Sequence, residues 1–132
     1  LKPFNDRLAQ SAVDAEWDAV VITDDLEIEA AGRQYRLLSK SDQWTVNAMI
    51  AEAISFTSSL KLVLLDEFDI LDVNRRGDCL AWLGAAAECG EVDSVLLFST
   101  LKESPKPEDM PEGVDVHWIT DGQCIELALQ GN

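Results

Sequence analysis

Leu62-Val63-Leu64-Leu65-Asp66-Glu67-Phe68-Asp69-Ile70-Leu71-Asp72 decides how this chain is read. Four apolar residues run directly into two acids, and two further acids follow at Asp69 and Asp72. A short continuous apolar run predicts a strand buried on both faces, as in a parallel sheet. Ligands of such sheets bind just beyond the carboxyl ends of the strands. Asp66 and Glu67 are therefore expected at the rim of a binding crevice. The plainer reading is that the acids open a loop or cap a helix, since Asp and Glu favour helix N-termini.

The elements on either side argue for a parallel unit. Asn74 to Cys89 reads as a helix, with Leu80, Leu83 and Ala87 on one face and Gly90 as its cap. Val95-Leu96-Leu97-Phe98 reads as a second buried strand ending in Ser99-Thr100. A strand, a helix and a strand in this order predict a βαβ core with a right-handed crossover. Upstream, Leu38-Ser39-Lys40-Ser41-Asp42-Gln43 carries helix-start residues, and the helix runs on through Trp44, Met49, Ile50, Ala53 and Ile54. The N-terminus of that helix suits a phosphate, because it offers unpaired N–H groups and a positive dipole end.

Residues 1–15 read as a leading helix with Pro3 in its first turn and Phe4, Leu8, Ala12 and Ala15 on one face. Residues 17–37 read as a small antiparallel meander. Its strands are Ala19–Thr23, Leu26–Ala30 and Gln34–Leu37, with turns at Asp24-Asp25 and Ala31-Gly32-Arg33. The Asp24-Asp25 pair reads as a solvated turn rather than a cation site. Residues 102–113 hold three of the four prolines and form a surface loop. Residues 114–129 read as a hairpin about Asp121-Gly122, with its second strand running from Gln123 to Leu129. His117 falls on its first strand and reads as a sheet-surface residue rather than a catalyst.

Composition narrows the function. The chain has 132 residues, one domain by length. Ten basic residues face 25 acidic ones for a net charge of −15. Such a surface repels phosphate backbones and anionic membranes, so direct nucleic-acid binding by this chain is not expected. No run approaches the roughly eighteen consecutive apolar residues of a membrane helix. The N-terminus lacks a signal-peptide core and an initiator Met, as in a fragment or processed product. Cys79, Cys89 and Cys124 are scattered, with no CxxC and a single His, so neither a zinc site nor a disulfide framework is expected. A cytoplasmic location follows as the default.

Taken together, the motifs resemble the ABC-type ATPases of the SMC and DNA-repair branch. Leu62 to Glu67 has the form of a Walker B strand. Leu38-Ser39-Lys40-Ser41-Asp42 is similar to the LSGGE signature, with Leu38 and Ser39 matching, Lys40 and Ser41 in place of the glycines, and Asp42 in place of Glu. Leu71-Asp72 stands where the D-loop follows Walker B. The resemblance spans about residues 16 to 129 and points to the C-terminal lobe of an SMC-like head, with phage and prophage SMC-like ATPases looking closest. It implies an α/β fold: a partial P-loop NTPase, with residues 38–100 as the signature helix and Walker B core.

The resemblance also implies roles and partners. Ser39 would contact the γ-phosphate of an ATP held by a second head, helped by Lys40, Ser41 and Asp42 at the helix N-terminus. Asp66 would hold Mg²⁺, usually through a water. Glu67 would act on the attacking water as the catalytic residue. Asp72 would sit at the dimer interface. Thr100 stands near the expected switch histidine and would donate a hydrogen bond to the γ-phosphate. The partners would be an N-terminal Walker A lobe and a second head, with DNA reached only through the parent assembly. No GxxxxGK[ST] occurs in this sequence, and Ser99, Thr100 and Leu101 occupy the place of the histidine. The isolated chain is therefore expected to be inactive.

Three rivals have a basis in the residues. Asp66-Glu67-Phe68-Asp69 fits the DExD pattern of superfamily 2 helicases, and Ser99-Thr100 faintly echoes their later SAT motif. A lobe that kept the fold and lost catalysis would act as an interaction module. A two-carboxylate hydrolase is disfavoured, because adjacent residues on a strand end point to opposite sides.

Overall fold

A computed structural model of the chain describes residues 1–127. Ala128 and Leu129, expected at the end of the hairpin, lie outside the described residues. The protein is mixed α/β and divides into two compact units, Leu1–Ser99 and Thr100–Asn132.

The first unit opens with helix α1, Lys2–Ala15, which carries Pro3 in its first turn as expected. Strands β1 (Val20–Ile22), β2 (Ile28–Ala30) and β3 (Arg33–Gln34) form an antiparallel sheet in that order. Asn5 ties α1 to β1: its side-chain amide donates to the Ile22 carbonyl, and its carbonyl oxygen accepts from the Ile22 N–H, both at 2.9 Å. The third strand is shorter than expected. Pairing stops after Gln34, and Tyr35–Leu37 winds into a 3-10 turn. The turn directs the chain toward the next helix and leaves Tyr35 and Leu38 packed against the core. The Arg33 guanidinium spans the turn by donating to the Leu37 carbonyl at 3.0 Å.

Helix α2 runs over Lys40–Ser58 with Ser39 as its N-cap. The helix runs through Trp44, Met49 and Ala53 as expected, and all three are buried, whereas Ile54 is half exposed. Strand β4 (Leu62–Leu65) pairs in parallel with β5 (Ser94–Leu97), Leu62 opposite Ser94 and Leu65 opposite Leu97. Helix α3 (Val73–Glu88) connects them. Its buried stripe is Cys79, Trp82, Leu83 and Ala86 rather than the expected Leu80, Leu83 and Ala87. Trp82 sets this rotation: its ring meets Trp17 edge-on at 5.4 Å between centroids, and so bulky a side chain takes the centre of the contact.

The expectation that β4 is buried on both faces fails. Val63 and Leu65 are buried, but Leu64 is 55% exposed, and Leu96 and Phe98 are 50% and 51% exposed. The core of the unit, with Leu8, Met49, Leu71 and Val92, includes Val63 and Leu65 but neither Leu64 nor Leu96. One face of the parallel pair thus joins the core and the other faces outward, which is unusual because parallel sheets are ordinarily covered on both sides.

A buried ion pair that no sequence pattern announced runs through the core. Arg7 on α1 and Glu52 on α2 are 8% and 0% exposed. The Arg7 Nε donates to the two Glu52 carboxylate oxygens at 3.0 and 3.1 Å, and its Nη2 also reaches Glu52. Ser11 donates to the same carboxylate at 3.1 Å, and Arg7 Nη2 meets Glu91 at 2.9 Å. Burial opposes the charge on Arg7, but its hydrogen bonds to Glu52 and Glu91 outweigh that and hold it above its ordinary value.

The second unit holds a 3-10 turn at Pro107–Asp109 and the hairpin of β6 (Val116–Thr120) and β7 (Gln123–Leu127). Asp121 and Gly122 have φ of 50° and 73°, the two positive angles of a type I′ turn, so this hairpin forms where the Asp-Gly pair predicts it. His117 is exposed and lies opposite Glu126. Among the described residues no helix is long and apolar enough to cross a membrane.

Candidate functional site

The acids stand where the parallel strand ends. Asp66 and Glu67 follow Leu65 directly, and both are exposed. The backbone there is tightly specified. The Glu67 N–H donates to the Asp66 carboxylate at 2.7 Å, and the Asp66 carbonyl accepts from the Trp44 indole at 2.7 Å. The Phe68 N–H donates to the Phe98 carbonyl at 2.9 Å, beyond the last register pair of β5. Glu67 itself adopts a left-handed conformation, φ 55° and ψ 36°, and opens the 3-10 turn Phe68–Ile70. A residue with a Cβ in this region costs about 1 kcal/mol or more, so the surrounding bonds must over-determine it.

Asp69 sits in that turn. Its carboxylate accepts from the Ser99 hydroxyl at 3.3 Å, and its carbonyl accepts from Arg76 Nη2 at 2.9 Å. Asp72 caps α3, its carboxylate accepting from the Arg75 N–H at 2.8 Å. Loop and capping readings of this stretch are therefore both correct for particular residues: Asp72 is a cap, while Asp66 and Glu67 present carboxylates to the outside.

The second group lies at the start of α2. The Ser39 hydroxyl accepts from the Asp42 N–H at 3.2 Å and lies 3.3 Å from the Ser41 hydroxyl. Asp42 pairs with Arg75 of α3 at 2.8 Å, and Arg75 also reaches the Ser41 hydroxyl at 3.4 Å. The Ser39 hydroxyl, then Arg75, hold the Asp42 carboxyl below its ordinary value. The four residues thus divide. Ser39 and Lys40 are exposed, whereas Ser41 and Asp42 are partly buried and engaged by Arg75. Sequence reasoning missed Arg75 and Arg76; only the packing of α3 beside the start of α2 reveals them.

One residue of each group, Glu67 and Lys40, borders a shallow hollow of about 270 Å³. Tyr35, Lys40, Gln43, Trp44, Asn47, Glu67 and Ile70 line it, so Lys40 and Glu67 face one space. Trp44, one of these residues, is tilted against Phe68 at 5.9 Å between centroids. A cation and a carboxylate across a small open hollow suit a polar, charged ligand rather than an apolar one. Thr100 begins the second unit.

Among the described residues no cluster of three or more His, Cys, Asp or Glu side chains is gathered to hold a metal ion. A hydrated Mg²⁺ needs less, often one or two carboxylates plus substrate oxygens. Asp66 fits that demand, being an exposed carboxylate at a strand end with one oxygen engaged by the adjacent N–H.

No known protein-family model matches this chain, and no curated protein matches it significantly.

Proposed function

We propose that this chain is the C-terminal lobe of an SMC-like, ABC-type ATPase head with a partial P-loop NTPase fold. In this reading it contributes the signature segment, Walker B and D-loop to an ATP sandwich that serves DNA maintenance. The observation that carries the reading is the Asp66-Glu67 pair, exposed at the carboxyl end of a parallel strand. Glu67 would orient and deprotonate the attacking water. Asp66 would hold Mg²⁺, which when bound neutralises phosphate charge. Ser39 and Lys40, the exposed pair of the signature segment, would meet the γ-phosphate of the opposing head's ATP, while Ser41 and Asp42 keep that turn in place through Arg75. Asp72 would face the partner head beside its capping role.

The outward apolar face of β4 and β5 supports the partner assignment. Leu64, Leu96 and Phe98 are exposed apolar side chains, which a Walker A lobe would cover as the sheet's second layer. The sequence contains no phosphate-cradling loop, so that lobe must supply it. The test is ATP hydrolysis by a protein in which this chain is joined to a P-loop lobe, beside the same protein carrying Glu67→Gln. Turnover that the substitution abolishes, with an ATP-bound dimer accumulating, is the expected result. A wild-type protein that neither hydrolyses ATP nor changes its association with nucleotide overturns the reading.

A second reading is a lobe that retains the fold as an interaction module. It is favoured by Ser99-Thr100-Leu101 after β5, which carry no cationic side chain, and by Lys40 and Ser41 where glycines would allow close approach to phosphate. The same experiment separates the two.

A further inference from the structure

We propose that Arg76 and Ser99 are positioning residues for Glu67: together they clamp the 3-10 turn that holds Glu67 in its left-handed conformation. No side-chain bond of Glu67 does this among the described residues; its carboxylate is exposed. Its conformation depends on the turn that follows, through the Ile70 N–H to Glu67 carbonyl bond at 3.0 Å. Asp69, in the middle of that turn, is gripped from two elements. Arg76 Nη2, in the first turn of α3, holds its carbonyl at 2.9 Å, and Ser99, just past β5, holds its carboxylate at 3.3 Å. Among the described residues the Arg76 Nε–H is buried without a partner, while its Nη2 makes the bond to Asp69. A buried unpaired donor is uncommon in a folded protein. Ser99, just past the end of β5, thus holds the acid-bearing turn. What the clamp serves, the direction of the Glu67 carboxylate toward a water, rests on the proposed ATPase reading; the clamp itself does not.

Amide hydrogen exchange of this chain, followed by NMR, tests the clamp directly. In Arg76→Ala the Phe68 and Ile70 amides should exchange about tenfold faster or more, as for loss of a charge-assisted hydrogen bond, with Met49 in α2 unchanged. Arg76→Lys should lie between the two, and added guanidinium should restore protection to Arg76→Ala. Unchanged exchange at Phe68 and Ile70 overturns the proposal. Should Arg76→Ala unfold the chain, Ser99→Ala is measured at the same two amides, and unchanged exchange there overturns the proposal equally. In the two-lobe protein, Arg76→Ala should lower kcat with KM for ATP unchanged and with guanidinium rescue. If that protein has no ATPase activity while the exchange pattern is as expected, the functional reading fails and the clamp stands.

Discussion

The indole N–H of Trp44 donates to the main-chain carbonyl of Asp66 at 2.7 Å. This bond fastens the end of β4 to α2, whose N-terminus carries Ser39, so the acid pair and the first turn of α2 share one anchor. Trp44→Phe keeps the ring on Phe68 but leaves the Asp66 carbonyl without its donor. It should lower stability by about 2 kcal/mol, read as a shift in urea midpoint at unchanged slope. A midpoint equal to that of the unaltered chain would show that the bond contributes nothing.

The Arg7–Glu52 pair is buried at both ends. Removing one partner strands a charge in the core, so Arg7→Ala or Glu52→Ala should each cost about 3–5 kcal/mol. Replacing both by apolar residues of similar size, Arg7→Met with Glu52→Leu, should recover most of that loss. Urea unfolding of the three variants measures it; a double variant as unstable as the worse single one would contradict the argument.

Asp42 and Arg75 join the starts of α2 and α3 while each remains about one-third exposed. Solvent limits such a pair to about 0.5 kcal/mol. Because the Asp42 carboxyl is held below its ordinary value of 3.8, its contribution is present above that value. It disappears as pH falls through the lowered value of the folded state. A double-mutant cycle with Asp42→Asn and Arg75→Gln should therefore show coupling at neutral pH and none in strong acid. Equal coupling under both conditions would refute the assignment.

Burial pushes the Cys79 thiol up to about 12, whereas Cys89 and Cys124 are exposed. An aromatic disulfide reagent should label Cys89 and Cys124 in the folded chain and reach Cys79 only on unfolding. The same shift favours the folded state below the ordinary thiol value of 9.0 and loses that contribution as pH rises toward about 12. Cys79→Ala should flatten that alkaline loss; a Cys79 labelled as fast as the other two would place it at the surface.

Local chemistry was legible where it is set by a few adjacent residues. The Ser39 cap, the Pro3 helix start and the Asp121-Gly122 turn appear where their side chains and backbone angles require them. The βαβ order was legible too, because a run of apolar residues followed by a helix-length segment and another apolar run leaves few alternatives. The third strand of the meander is shorter than its pattern predicts, since the extended pattern at Tyr35 and Leu37 gives way to the turn that leads into the next helix.

What lies between elements was not legible. Leu64 and Val63 are equally apolar, yet one faces out and the other in, because burial depends on which layers a sheet acquires. Arg7 and Glu52 look like surface residues until two helices pack together, and desolvation then makes each the other's necessary partner. Arg75 and Arg76 follow the acids in sequence, but their work on Asp42 and Asp69 arises only when the first turn of α3 packs beside the start of α2 and the end of β5. Backbone preferences act over a few residues and are written in composition. Charge pairing, layer coverage and the aim of Glu67 act across the fold, and only tertiary packing decides them.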